Sequence, residues 1–145
     1  MHTAASKALF EEDVRHLTPA LCQRRGWILH GATYPEVDCS FISPERKTLR
    51  VVLVCDNWND LPPSVRLCSE DGTPLGALPQ NHSGVFNPSA HPQTNRPFVC
   101  MAGAREFHTH PSHVNQLWET FKDKSSYSIG GILTQLWNAW QKGWG

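Results

Sequence analysis

The stretch that decides the fold is Val37-Asp-Cys-Ser-Phe-Ile42-Ser-Pro-Glu-Arg-Lys47-Thr-Leu49-Arg-Val-Val-Leu-Val-Cys55, in which two apolar runs flank a polar turn. The second run, Leu49 to Cys55, is short and rich in β-branched residues, which is typical of a buried strand. Pro44 and the three charged residues after it are typical of a turn. We therefore predict an antiparallel hairpin with strands at Val37 to Ile42 and Leu49 to Cys55.

Two further strands and a helix are predicted around this hairpin. Trp27 to Ala32 and Ser64 to Cys68 have the composition of strands. Apolar residues recur at helical spacing between Ser6 and Arg25, with Ser6 as the expected cap, although Pro19 disfavours an unbroken helix. The residues with this spacing are Leu9, Phe10, Val14, Leu17 and Leu21, and Gly26 is the expected stop.

The second half of the chain is predicted to be irregular and then helical. The segment from Ser69 to Pro97 is rich in Gly, Pro, Asn and Ser, so it is expected to lack regular structure. Val114 to Phe121 is predicted to form one helical piece. A clean amphipathic helix begins at Ser126 or Ser128 and runs to Trp140. Helix, antiparallel strands, irregular segment and helices together predict an α+β fold, as a single domain over 1–145 with an irregular insertion at about 69–90.

Charge and composition exclude several classes of function. The chain has 13 basic and 13 acidic residues, so nothing predicts attraction to nucleic acid or to an anionic membrane. The N-terminus lacks an apolar signal core, and no stretch approaches the roughly 18 apolar residues of a membrane span. The five cysteines form no CxxC pair, which favours free thiols in a cytoplasmic protein. Four of them lie in helix or strand patterns and are expected in the core: Cys22, Cys39, Cys55 and Cys68.

The fifth cysteine begins the segment with the most chemistry, Cys100-Met-Ala-Gly-Ala-Arg-Glu106-Phe-His108-Thr-His110. Glu106, His108 and His110 alternate with other residues at the spacing of a strand, which would place them on one face. Thiol, carboxylate and imidazole serve both nucleophilic thiol chemistry and transition-metal binding. The alternation is also what the solvated face of a strand would show.

Three motifs resemble the ubiquitin-conjugating enzymes. Asn57-Trp-Asn-Asp-Leu-Pro-Pro-Ser-Val-Arg-Leu67 resembles the segment in which a turn leads through Pro-Pro into a strand. His91-Pro92-Gln93 resembles the His-Pro-Asn tripeptide of that family, and Cys100 follows His91 at close to the family's spacing. The order of helix, strands, cysteine and later helix is also similar. The resemblance covers roughly residues 6 to 140 and implies a ubiquitin-conjugating-like fold of bacterial type.

The resemblance implies an acyltransferase in which Cys100 is the nucleophile. Cys100 would accept a ubiquitin-like modifier as a thioester from an activating enzyme and pass it to an amine or hydroxyl. His91 and Pro92 would hold the site loop. His108 or His110 is the expected general base or thiolate partner, because an imidazolium beside a thiol lowers its pKa, and Glu106 would orient that imidazole.

The chain departs from the eukaryotic pattern in three ways. Gln93 stands where those enzymes have an asparagine, and Asn95 is a nearby residue that could replace it. The interval between the Pro-Pro turn and His91 is longer, so 69–88 would be an insertion. Glu106 and the two histidines after it are foreign to that pattern, and a Cys, Glu, His, His signature instead resembles a bacterial family predicted to bind metal beside ubiquitin-like conjugation components.

Three alternatives remain open from the sequence. Cys100, Glu106, His108 and His110 would be zinc ligands in an adaptor or a hydrolase, with His113 as a further candidate. Phe107-His-Thr-His-Pro111 resembles the zinc isopeptidases of the JAMM type, but Trp118 and Phe121 stand where their Ser-x-x-Asp is required. A ubiquitin-conjugating-like scaffold without activity, in which Cys100 is incidental, is the third.

Overall fold

A four-stranded antiparallel sheet in the order β1-β2-β3-β4 forms the centre of the computed structural model, which describes residues 1–79 and 84–144, without the side chain of Trp144. The strands are β1 (Trp27–Thr33), β2 (Glu36–Ile42), β3 (Thr48–Val54) and β4 (Ser64–Cys68). The predicted hairpin is confirmed, since β2 and β3 pair antiparallel with Cys39 opposite Val51. Its turn is closed by the Arg46 N–H, which donates to the Ser43 carbonyl at 2.9 Å.

Two helices precede the sheet where one was predicted. They are α1 (Thr3–Val14) and α2 (Pro19–Arg25). Pro19 is the first residue of α2, a position that needs no N–H donor, and the Thr18 hydroxyl caps the helix by accepting from the Leu21 N–H at 3.2 Å. Gly26 ends α2 with φ of 70°, as predicted. The cap of α1 is His2 and not Ser6, because the helix begins earlier than its apolar pattern.

The C-terminal helix α4 (Ile129–Trp144) covers one face of the sheet. Of the two predicted caps, Ser128 is the one used, since its hydroxyl accepts from the Gly131 N–H at 3.0 Å. The apolar stripe of α4 is fully buried, as amphipathic spacing predicts. Its members are Ile129, Ile132, Leu133 and Leu136. The α+β class predicted from the sequence is therefore confirmed.

The described residues of 69–97 are mostly irregular, as predicted, but one short strand lies among them. β5 (Phe86–Asn87) pairs with β6 (Phe98–Val99) in a second small sheet. Residues 80–83 of the predicted insertion lie outside the described residues. Within 1–79 and 84–144, each helix is too short or too polar to cross a bilayer.

Two predictions of secondary structure in this region are wrong. Residues 105–108 form a short helix, α3 (Arg105–His108), where alternation predicted a strand. Contacts made by Arg105 explain this, since its N–H donates to the Pro63 carbonyl at 2.8 Å and its Nε to the Pro62 carbonyl at 3.0 Å. The helix predicted at 114–121 is reduced to a 3₁₀ turn at Trp118–Thr120, followed by a second at Ser125–Tyr127.

Candidate active site

Cys100 directly follows β6 and is the most accessible of the five thiols. Its N–H donates to the Val85 carbonyl at 2.6 Å, which fixes the backbone beside the small sheet. The other four cysteines are buried, as predicted, whereas Cys100 is half-buried. Burial raises the pKa of the Cys100 thiol, which is opposite in direction to the lowering expected beside an imidazolium. The thiol is therefore protonated at neutral pH and needs a base to become a nucleophile.

The imidazole in contact with this thiol belongs to His113. The distance from Cys100 Sγ to His113 Nε2 is 3.6 Å, within hydrogen-bond range for sulfur. The His113 ring stacks on Phe107, with centroids 4.0 Å apart and planes 12° apart. Its Nδ1 is buried and has no hydrogen-bond partner among the described residues. Stacking on Phe107 therefore holds the ring, and its Nε2 faces the sulfur of Cys100.

Glu106 is committed to strand β4 and not to an imidazole. Its Oε2 accepts from the Ser64 hydroxyl at 2.6 Å, and its Oε1 accepts from the Val65 N–H at 2.9 Å. The side chain is only 8% exposed. A buried carboxylate needs such partners, so Glu106 ties α3 to the edge of the main sheet.

His108 also holds the local backbone. Its Nε2 accepts from the Gly103 N–H at 3.0 Å, and the other ring nitrogen, Nδ1, then donates to the Gln116 carbonyl at 2.7 Å. This pair of partners requires the neutral ring with its proton on Nδ1. Burial lowers the pKa of His108, in keeping with a neutral imidazole.

His110 lies between the cysteine site and the loop before it. Its Nδ1 accepts from the Ser112 N–H at 3.1 Å, and its ring stacks on Phe98 with centroids 5.4 Å apart. The His110 and His113 rings are 6.1 Å apart. His110 is thus a neighbour of the thiol's partner, and no hydrogen bond joins it to Cys100 in the described part of the chain.

His91 organises the loop that leads to β6. It is 1% exposed, its Nε2 donates to the Glu106 carbonyl at 2.8 Å, and its Nδ1 accepts from the Gln93 N–H at 3.0 Å. Asn95 adopts φ of 58°, and its N–H donates to the His91 carbonyl at 2.7 Å. Exposed Pro92 lies within this turn. The loop is therefore fastened to α3 through one buried imidazole.

The four predicted zinc ligands are not gathered around one point. Both oxygens of Glu106 and both nitrogens of His108 already have protein partners, so His108 could bind a metal only by giving up one of its hydrogen bonds, and Glu106 is held toward β4. Among residues 1–79 and 84–144, no group of three His, Cys, Asp or Glu side chains is placed to hold a metal ion. The donor set in this arrangement does not fit zinc, and zinc binding stays a prediction of the sequence alone.

His113, which the sequence offered only as a further candidate metal ligand, is the histidine in contact with Cys100. It lies outside the alternation of 106, 108 and 110, and a strand would have carried it away from Cys100. The turns after α3 instead bring it back, as the His113 N–H donates to the His110 carbonyl at 2.9 Å. The sequence contained one signal for this residue. His113 is a further histidine only six positions after Phe107, the aromatic residue on which its ring stacks.

Comparison with known proteins extends to part of the chain. No curated protein matches it significantly. A family model does match residues 85–143, which run from the start of the small sheet to the end of α4 and include both Cys100 and His113. Over this region the chain is similar to the Y4jH-like proteins of the Y4jH family.

Proposed function

We propose that the protein carries an activated ubiquitin-like modifier as a thioester on Cys100 and transfers it to an amine or hydroxyl. The observation that carries the proposal is the half-buried Cys100 thiol with an imidazole nitrogen 3.6 Å from its sulfur. The resemblance of 57–67 and of His91-Pro92 to ubiquitin-conjugating enzymes supplies the reaction class. His91 and Pro92 lie in a loop that leads directly to this cysteine.

The loading step needs a proton acceptor, and His113 fills that role. As the thiol approaches the thioester carbonyl of the modifier on its activating enzyme, its proton passes to His113 Nε2. The new bond joins Cys100 Sγ to the carbonyl carbon, and the bond to the activating enzyme's sulfur breaks. The departing thiolate takes up the proton that His113 accepted, so His113 is neutral again and charge balances over the step.

The transfer step runs through the same sulfur. An amine of the target attacks the thioester carbonyl and gives up a proton to His113, an amide forms, and Cys100 leaves as a thiolate that takes this proton from His113. A thiolate is a good leaving group, which is why the thioester stays reactive toward an amine. Because the resting thiol has a raised pKa, it needs the nearby imidazole to accept its proton in the loading step and to return a proton to its thiolate in the transfer step.

The surroundings of Cys100 favour a fixed geometry. Glu106 joins α3 to β4, His91 joins α3 to the preceding loop, and Arg105 pairs with Asp56 at 2.8 Å. Phe107, on the same helix, carries the His113 ring. The base is therefore positioned by an element that is itself anchored at three points, which is what orientation of reacting groups requires.

The test is capture of the thioester. Tagged protein is incubated with ATP in an extract of its own source cells, and adducts are separated with and without reductant. We expect an ATP-dependent, reductant-sensitive adduct in which mass spectrometry finds the C-terminus of a ubiquitin-like protein joined to Cys100. Cys100→Ser should convert it to a reductant-stable ester, whereas Cys68→Ser, at a buried cysteine, should leave it unchanged.

Metal content separates this proposal from the zinc alternative. Elemental analysis of untagged protein is made beside Cys100→Ser. About one zinc per chain that is lost in this variant would make the sulfur a ligand and would contradict the thioester role, because a ligating sulfur is not a free nucleophile. If the protein contained no zinc and formed no adduct in the capture experiment, both roles would be excluded and the inactive scaffold would be the remaining interpretation.

A further inference from the structure

A cleft separate from the cysteine site lies along the outer edge of β4. Its volume is about 280 Å³. Its walls are β4 itself and two chain segments, 74–78 and 94–99. β4 is the last strand of the main sheet, so its outer side faces this cleft without a full neighbouring strand.

Two backbone groups of β4 are open along this edge. The Val65 N–H donates to Glu106 and the Leu67 carbonyl accepts from the Leu75 N–H at 3.1 Å, so both residues turn their backbone groups away from β3. The Val65 carbonyl and the Leu67 N–H point the same way, because both groups of a residue lie on one side of a strand. Neither has a partner in the described ranges. They offer one acceptor and one donor at the spacing of an extended peptide.

The cleft has apolar walls and carries one positive charge that no ion pair neutralises among the described residues. Leu75, Leu78 and Phe98 line it. The carboxylate of Glu106 already accepts two hydrogen bonds. Of the two arginines that line it, Arg66 pairs with Glu36 at 3.0 Å, whereas the guanidinium of Arg96 has no ion pair within 1–79 and 84–144. One exposed cation therefore lies at the rim of an apolar cleft.

We infer that this cleft binds the extended C-terminal end of a peptide chain. The peptide backbone hydrogen-bonds to the Val65 carbonyl and the Leu67 N–H, an apolar side chain packs between Leu78 and Phe98, and the terminal carboxylate pairs with Arg96. Strand addition at a free edge and capture of a terminal carboxylate are both established modes of peptide recognition. The volume of about 280 Å³ lies just below the roughly 300–1,000 Å³ of ligand pockets, and the guanidinium of Arg96, unpaired among the described residues, is what favours a chain end with its carboxylate.

This inference goes beyond the thioester role and does not depend on it. No covalent step is involved, and Cys100 does not line the cleft. Loss of the thiol in Cys100→Ser should leave peptide binding unchanged. Failure of thioester capture and failure of peptide binding are therefore independent results.

The test uses defined probes and the full-length chain. Acetyl-Val-Leu-Leu and acetyl-Val-Phe-Val are each titrated as the free acid and as the C-terminal amide, and backbone amide signals are followed by nuclear magnetic resonance. We expect the free acids to shift the Leu67 amide signal in a saturable manner. The amides should bind about tenfold more weakly or worse, as loss of a charge-assisted contact predicts.

Two matched pairs of variants locate the binding. Arg96→Glu should weaken binding of the free acids at least as much as amidation does, whereas Arg24→Glu, at an exposed arginine of α2, should not. Gly76 lines the cleft and has open space around an added side chain, so Gly76→Phe should block it. Gly31 in β1 has the same open space, so Gly31→Phe is its control.

Three results would overturn the inference. They are equal binding of acids and amides, equal effects of Arg96→Glu and Arg24→Glu, and absence of a Leu67 shift at millimolar peptide. Each variant is first checked for an unchanged amide spectrum away from the substitution, so that a folding defect is not read as lost binding.

Discussion

At the scale of single residues, the chemistry of the site depends on the pair formed by Cys100 and His113. The thiol has a pKa raised by burial, so the proposed mechanism makes its reactivity at neutral pH depend on proton transfer to His113 Nε2, 3.6 Å from the sulfur. His113→Ala should slow alkylation of Cys100 by iodoacetamide at pH 7. The rate of alkylation should fall about tenfold for each pH unit by which the thiol pKa rises when the imidazole is removed.

The control for that substitution is His110→Ala, which removes a neighbouring ring that has no hydrogen bond to Cys100 in the described residues. Rates are followed by mass spectrometry from pH 6 to 9, and thermal unfolding confirms that both variants are folded. Equal rates for wild type and His113→Ala would show that the imidazole does not activate the thiol.

His108 makes a second prediction at this scale, on the pH dependence of stability. Burial lowers the pKa of His108 in the folded state below its unfolded value near 6.5. The unfolded chain then binds more protons below that pH, so the free energy of unfolding falls as the pH drops from 7.5 to 5.5. His108→Gln should show a smaller fall over this range in urea titrations.

Exposed His16 provides the comparison, because His16→Gln removes an imidazole from the surface. The fall in the free energy of unfolding between pH 7.5 and 5.5 should be larger in this variant than in His108→Gln. The explanation would be wrong if both variants lost stability equally between pH 7.5 and 5.5. Burial raises the pKa of the Asp13 carboxyl, but wild type and His108→Gln both keep Asp13 and the other histidines, so the difference between the two proteins isolates His108.

At the scale of elements, the short helix α3 is held by contacts distant in sequence, and Glu106 is its main link to β4. Glu106→Gln replaces the carboxylate that accepts one buried and one part-buried hydrogen bond with a neutral amide that donates as well as accepts. We expect the free energy of unfolding to fall by about 1–3 kcal/mol, the usual cost of disturbing such bonds. Urea unfolding followed by tryptophan fluorescence measures it.

Glu119→Gln is the matched control, since Glu119 is exposed in the 3₁₀ turn at 118–120. It should change stability little. If Glu106→Gln instead kept full stability but slowed alkylation of Cys100, Glu106 would have the imidazole-orienting role predicted from the sequence, and its role in joining α3 to β4 would be secondary.

The same element shows what the sequence could and could not predict. Strands β1 to β4 and helix α4 followed from local patterns, because each buries one face of regular spacing against the core. The helical conformation of 105–108 depends on carbonyls of Pro62 and Pro63, some forty residues earlier, and no local pattern contains that contact. Cys100, the cysteine singled out from the sequence, is the most accessible thiol, but the imidazole in contact with it is His113 and not the expected His108 or His110, because strand spacing does not hold in this segment.

At the scale of the whole molecule, the distribution of thiols gives the last prediction. All five cysteines are free, and four are buried in the core. Burial raises the pKa of Cys39 to about 12 and also raises that of Cys55, so both are protonated and shielded in the folded state. Ellman's reagent should therefore modify one thiol quickly in native protein and all five in guanidinium chloride.

Cys100→Ser should abolish the fast phase and leave four thiols that react only on unfolding. Those four then report global opening of the fold, because their rate of modification follows the population of the open state when closing is fast. A second fast thiol in the native protein would mean that part of the core around the main sheet opens locally. It would also weaken the argument that accessibility singles out Cys100, and with it the assignment of the acyl-carrying residue.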